Sequence, residues 1–194
     1  MSRSIRHSLV FAALLAGMSL ALAGCGTSRG PYQPMREGAR NTVLAEQLTR
    51  RAADLIDTKP DRAEELLRQA LAADLYHGPA HNNLGVVFLN RGLLYEAASE
   101  FQWARRLMPG NPDPRMNLGL ALEQAGMIDD ALDSYRTALE VYPEHLPTIQ
   151  ALARAQLRHD RADDRTPALL EKIAQRSASS EWREWARLRL ATQQ

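Results

Sequence analysis

The chain has 194 residues, 45% of them hydrophobic, with 24 basic and 23 acidic side chains and a formal net charge of +1. That length supports one domain with a sizeable buried core, and so even a charge balance lacks the basic footprint of nucleic-acid binding. A single cysteine excludes an internal disulfide, while abundant Ala, Leu, Arg and Glu favour an all-helical protein.

Residues 1–24 read as an export signal. Arg3, Arg6 and His7 form a polar start, and Leu9 to Ala23 form an apolar run of signal-peptide length. That run is shorter than the roughly 18 residues a membrane span needs. It ends in Leu22-Ala23-Gly24-Cys25, which resembles the bacterial lipobox. The resemblance implies that the Cys25 thiol accepts a diacylglyceryl group before cleavage. Ala21-x-Ala23 also satisfies an ordinary signal-peptidase site, which would leave a soluble periplasmic protein with a free thiol. Losing residues 1–24 removes Arg3 and Arg6 and no acid, so the net charge goes from +1 to −1. Several acyl chains together hold a protein stably on a membrane, where one alone binds marginally. Gly26 follows the cysteine where an aspartate would imply inner-membrane retention. The resemblance therefore implies an outer-membrane lipoprotein facing the periplasm. Residues 25–40, with Pro31, Pro34 and no apolar period, predict a flexible tether; Tyr32 is a lone aromatic there.

A helical period begins near Asn41. Val43, Leu44, Leu48, Ala52, Leu55 and Ile56 predict one apolar stripe. Thr58 to Asp61 interrupts it, and Pro60 opens a second helix through Glu64, Leu67, Ala70 and Leu71. His77-Gly78-Pro79 closes the unit.

Residues 78–145 then repeat themselves at a period of 34. Asn83-Leu84-Gly85 returns as Asn117-Leu118-Gly119, Phe88 as Leu122, Gly92 as Gly126 and Ala97 as Ala131. Phe101 returns as Tyr135, Ala104 as Ala138 and Pro109 as Pro143. Small residues belong where two helix backbones approach, and the aromatics fill the space left beside them. Gly92 and Gly126 predict left-handed stops after the first helix of each pair, and the prolines end the second. A period in this range means stacked supersecondary units. This spacing resembles the tetratricopeptide repeat, which implies an all-α, right-handed solenoid of antiparallel helix pairs. Ala63, Leu67 and Ala70 keep the register, but Arg50 and Arg51 replace the Leu-Gly pair. Residues 44–77 are therefore a degenerate repeat ahead of the clear ones at 78–111 and 112–145.

The folded part, 41–194, ends in a degenerate fourth unit and cap, 146–194. Leu152-Ala153 keeps the register in a helix from about Pro147 to Arg158, but Arg165 falls where alanine belongs. Asp160 to Arg165 predicts a loop, and Pro167 opens a helix through Leu169, Leu170 and Ile173. Ser179-Ser180 can cap a last helix whose Trp182, Trp185 and Leu188 share a side. Such a helix covers the open end of a solenoid; the alternative is a tryptophan-based partner site.

Catalytic patterns are missing from the sequence, and the protein reads as a non-enzyme with no cofactor and no small-molecule substrate. His77 and His81 are separated by Pro79, His145 and His159 lack ligand-like neighbours, and Asp160, Asp163 and Asp164 lack the rest of a calcium loop. No metal is expected. What the repeat implies is a groove lined by first helices. Its residues would be Asn82, Asn83, Val86, Leu89 and Asn90, then Met116, Asn117, Leu120, Glu123 and Gln124. Amides can bond a peptide backbone while apolar residues form pockets; ordinary solvated asparagines are the alternative. The terminal-carboxylate clamp of part of this family is not expected. Asn83 fits it, but Leu48, Asp113 and Asn117 stand where its cations belong. The resemblance implies an envelope-anchored scaffold for a protein or peptide partner, akin to lipoproteins that assist pilus or secretion-channel assembly. An enzyme subunit acting on the cell wall, or a passive spacer, are the rival classes.

Overall fold

In the computed structural model, residues 40–192 are described and lie within one compact unit spanning 34–194. Cys25 and the export signal lie outside the described residues, as does most of the tether. The described residues form nine α-helices and no strand. They alternate as α1 (Thr42–Ala53) and α2 (Pro60–Ala73), α3 (Gly78–Asn90) and α4 (Leu94–Leu107), then α5 (Asp113–Gln124) and α6 (Ile128–Val141). A fourth pair, α7 (Leu146–Arg158) and α8 (Thr166–Arg176), precedes α9 (Ser180–Ala191). This is the all-α tetratricopeptide-repeat fold expected from the period.

Each helix packs on the next along the chain, and α1, α3, α5 and α7 also touch one another in sequence. Among the described residues, the second helices of successive pairs make no such contact. The first helices therefore form the tighter inner layer, and the stack curves toward them.

Glycine permits the close packing inside each clear repeat. A Cβ at Gly85 would sit 2.6 Å from Cε1 of Phe101, and one at Gly119 would sit 2.5 Å from Cε1 of Tyr135. Both rings are completely buried, as are Ala97, Ala104, Ala131 and Ala138 around them. Gly92 and Gly126 turn the chain with φ of 74° and 79°, a region that side chains with a Cβ resist.

The ends depart from the sequence reading in instructive ways. Ala45, Leu48, Thr49 and Ala52 are the buried stripe of α1. Val43 and Leu44 are exposed, and Leu55 and Ile56 fall in the turn beyond the helix. Among the described residues, α1 packs only against α2 and α3, so its apolar first turn is left uncovered by them. Arg40, assigned to the tether, belongs to the folded part. Its guanidinium donates to both carboxylate oxygens of Asp74, at 2.8 and 3.0 Å, and the Asn41 N–H donates to the Ala73 carbonyl at 3.0 Å.

At the other end, second helices begin at residues 60, 94 and 128, but α8 begins at 166 rather than 162. The displaced start follows a structured loop. Gln156 donates to Asp163 at 2.8 Å, Asp163 accepts from the Arg165 N–H at 2.9 Å, and the Thr166 hydroxyl donates to Gln156 at 3.1 Å. The acidic run thus organises the α7–α8 connection. Helix α9 begins at Ser180, with Ser179 accepting from the Trp182 N–H. Its Trp182, Trp185, Ala186 and Leu190 cover Ile149, Ala153, Leu170 and Ile173. The two indoles meet edge to face, 5.2 Å apart. Leu188 does not join them; it is 61% exposed. No described helix is long and apolar enough to cross a membrane.

Candidate functional site: the first-helix face

The inner layer places equivalent positions side by side. Asn82, Asn83, Val86 and Leu89 of α3 are half-buried, and Asn90 is exposed at its end. On α5, Met116, Asn117 and Leu120 are half-buried and Gln124 is exposed. The side-chain amide of Asn117 donates to the Asn82 side-chain oxygen at 3.1 Å, joining two of the expected groove residues across neighbouring repeats. Each amide retains other hydrogen-bonding capacity. Met116 and Leu120 pack against the cluster of Leu132, Tyr135, Leu152 and Ala155, so they are also seam residues between α5 and α7.

Glu123 differs from the expectation. Its side chain is only 6% exposed, and it serves as an internal acceptor rather than an open groove residue. The Tyr135 hydroxyl donates to it at 2.9 Å, and its second oxygen lies 3.3 Å from an Arg158 guanidinium nitrogen and 3.4 Å from His159 Nε2. The apolar equivalent one repeat earlier is Leu89, which needs no such partners. Burial, first of all, and the neighbouring Glu123 charge push the Tyr135 hydroxyl pKa well above its ordinary value, while Arg154 and Arg158 oppose the shift.

Continuing the 34-residue period by one step finds residues that were missed. Val86 and Leu120 lead to Arg154, Leu89 and Glu123 to Leu157, and Asn90 and Gln124 to Arg158. The intact Leu152-Ala153 register was the signal available for them. A pocket of about 290 Å³ is lined by Leu120, Glu123, Gln124, Arg154, Arg158 and His159. A second, of about 550 Å³, shares Arg154 and Arg158 and adds Leu157, Trp185, Arg189 and Thr192. The inner face thus changes character along its length, from amide and aliphatic on α3 and α5 to cationic between α7 and α9.

The histidines are engaged locally. His81 is buried; its Nε2–H donates to the Leu75 carbonyl at 2.9 Å, and Nδ1 lies 2.6 Å from Glu100. His145 meets the Thr148 hydroxyl at 2.7 Å at the start of α7. Among the described residues, no three His, Cys, Asp or Glu side chains are grouped as metal ligands.

Residues 57–112 match one tetratricopeptide-repeat family model and residues 112–145 match another. The chain is a tetratricopeptide-repeat protein. It is 31% identical over 150 residues to a TPR repeat-containing protein of Pseudomonas aeruginosa, an alignment covering 72% of this chain and 60% of that one. It is 27% identical over 86 residues to tetratricopeptide repeat protein 8 of Mus musculus, covering 44% of this chain and 17% of the relative. The chain therefore spans less than two thirds of either relative. An O-GlcNAc transferase of Thermobaculum terrenum superposes with a TM-score of 0.64 at 22% identity, over 70% of this chain and 27% of that one. MamA of Desulfovibrio magneticus RS-1 gives 0.56 at 18% identity, over 77% of each chain. The second TPR domain of human RPAP3, in complex with an HSP70 peptide, gives 0.55 at 20% identity, over 59% of this chain and 96% of that domain. At such identities these likenesses concern the fold alone.

Proposed function

We propose that this protein is a lipid-anchored scaffold of a bacterial envelope that binds a protein partner along its first-helix face. The observation that carries the reading is the inner layer itself. Two successive first helices, α3 and α5, present half-buried aliphatics and amides in register on the face toward which the stack curves. Such a surface receives an extended or helical peptide, with amides bonding its backbone and apolar side chains entering the hollows. The human RPAP3 domain with its HSP70 peptide is a precedent for the architecture. The lipobox-like Leu22 to Cys25 supports attachment through Cys25, and Gly26 supports the outer membrane. Assembly of a pilus, a secretion channel or another envelope complex is the kind of process such an anchored scaffold serves.

The test uses exposed positions, because Leu120 is partly core. Asn90→Glu with Gln124→Glu places two like charges on adjacent repeats where a bound chain must lie. Uncompensated desolvation of those carboxylates is costly, so capture of the partner recovered from envelope extracts by wild-type protein should fall at least tenfold, about 1.4 kcal/mol. Undiminished capture by the folded double variant would move the interaction off this face.

A further inference from the structure

We propose that the α7–α9 end of the inner face is a receptor for acidic side chains of an internal, non-terminal peptide segment. The proposal rests on the groove reading and names the chemistry that its C-terminal end recognises. Arg154 and Arg158 on α7 and Arg189 on α9 line one pocket of about 550 Å³. Of these, Arg158 has Glu123 as a carboxylate partner, at 3.3 Å. Arg154 has a side-chain Nε buried without any hydrogen-bond partner, and Arg189 has no acidic partner among the described residues. A buried, unmatched guanidinium N–H costs free energy until an acceptor arrives. Carboxylates are the fitting acceptors, since guanidinium forks bind them bidentately.

The walls narrow the ligand further. Trp185 and Leu157 give the pocket an apolar side, which suits a segment alternating acidic and aliphatic residues. The rest of the molecule argues against a polyanion. Past residue 24 the net charge is −1, so the chain lacks the overall basic balance that a nucleic acid backbone calls for. Arg189 is supplied by the capping helix, so the terminal helix both covers the core and completes the pocket.

The probe is a short, fluorescein-labelled peptide of alternating glutamate and leucine, amidated at its C-terminus so that every carboxylate belongs to a side chain. Anisotropy titration against the mature, unlipidated chain should show saturable binding that weakens as salt rises. Arg189→Glu should weaken it at least tenfold. Arg187→Glu carries the same change in charge from an exposed position two residues away on the same helix, and should weaken it less than threefold. Arg158→Gln gives a second variant, which keeps an amide donor for the Glu123 carboxylate beside it; with circular dichroism showing the fold intact, it too should weaken binding. No binding by wild-type protein, equal binding of a glutamine-for-glutamate peptide, or equal losses from Arg187→Glu and Arg189→Glu would each overturn the proposal. The two readings fail separately. A captured envelope partner that is lost by Asn90→Glu/Gln124→Glu but not by Arg189→Glu leaves the groove standing without the acidic specificity. Arg189-dependent peptide binding with an unaffected groove variant does the reverse.

Discussion

Gly119→Ala is the smallest substitution that probes the repeat's internal packing. The added Cβ would lie 2.5 Å from Cε1, 2.6 Å from Cδ1 and 3.0 Å from Cζ of Tyr135. Carbon contacts are comfortable only near 3.5–4.0 Å, so the ring must retreat by roughly 1 Å. It has little room, being fully buried, and its hydroxyl is tethered to Glu123 at 2.9 Å. Overpacking of this kind costs roughly 1–3 kcal/mol, and loss of a hydrogen bond to a charged group about 1.5–3 kcal/mol. Alanine returns about 1 kcal/mol of helix propensity. The balance is a destabilisation of about 1.5–5 kcal/mol, measured as a fall in urea midpoint at unchanged slope. Tyr135→Phe removes the tether, so Gly119→Ala should cost less in that background, a coupling that a double-mutant cycle reads directly. A Gly119→Ala variant as stable as wild type would refute the assigned register, because alanine would then be the better helix residue with nothing against it.

Cys25→Ser should shift the mature protein from the membrane fraction or leave its precursor unprocessed; unchanged lipid labelling and pelleting would rule out lipidation at this thiol. His81→Ala should cost about 1.5–3 kcal/mol by removing a buried hydrogen-bond partner of the Glu100 carboxylate, and denaturant melts showing a near-neutral variant would contradict that pairing. Asp74 is held below the ordinary aspartate pKa chiefly by the hydrogen bond from Arg40. Its stabilising effect should be complete above the ordinary value of about 4 and disappear as pH falls through the lower folded value. Asp74→Asn should therefore lower stability at neutral pH and flatten the acid limb of the stability curve. An acid limb of unchanged slope would show that other carboxylates set it.

Much of the architecture was local information and therefore legible in one dimension. Gly92 and Gly126 mark turns because their left-handed φ is a property of single residues. The spacing from Gly85 to Phe101 and from Gly119 to Tyr135 records a contact inside one helix pair. Any chain with that period must bury those pairs the same way, so the repeats, their register and the identity of the inner helices followed without coordinates. Exposure at the chain ends did not. Val43, Leu44 and Leu188 satisfy an apolar helical period but lie where no described helix covers them, and whether a neighbour packs there is a property of the stack. The chemistry of the inner face was likewise decided in three dimensions. Glu123 occupies a groove position by period, yet Tyr135 on α6 and the adjacent Arg158 and His159 at the end of α7 convert it into an internal acceptor. Arg189 comes from a helix outside the repeat pattern, and only packing of α9 against α7 brings it beside Arg154 and Arg158. Local sequence determined the repeating frame, whereas charge at its far end depends on distant residues whose energies meet only when the chain is folded.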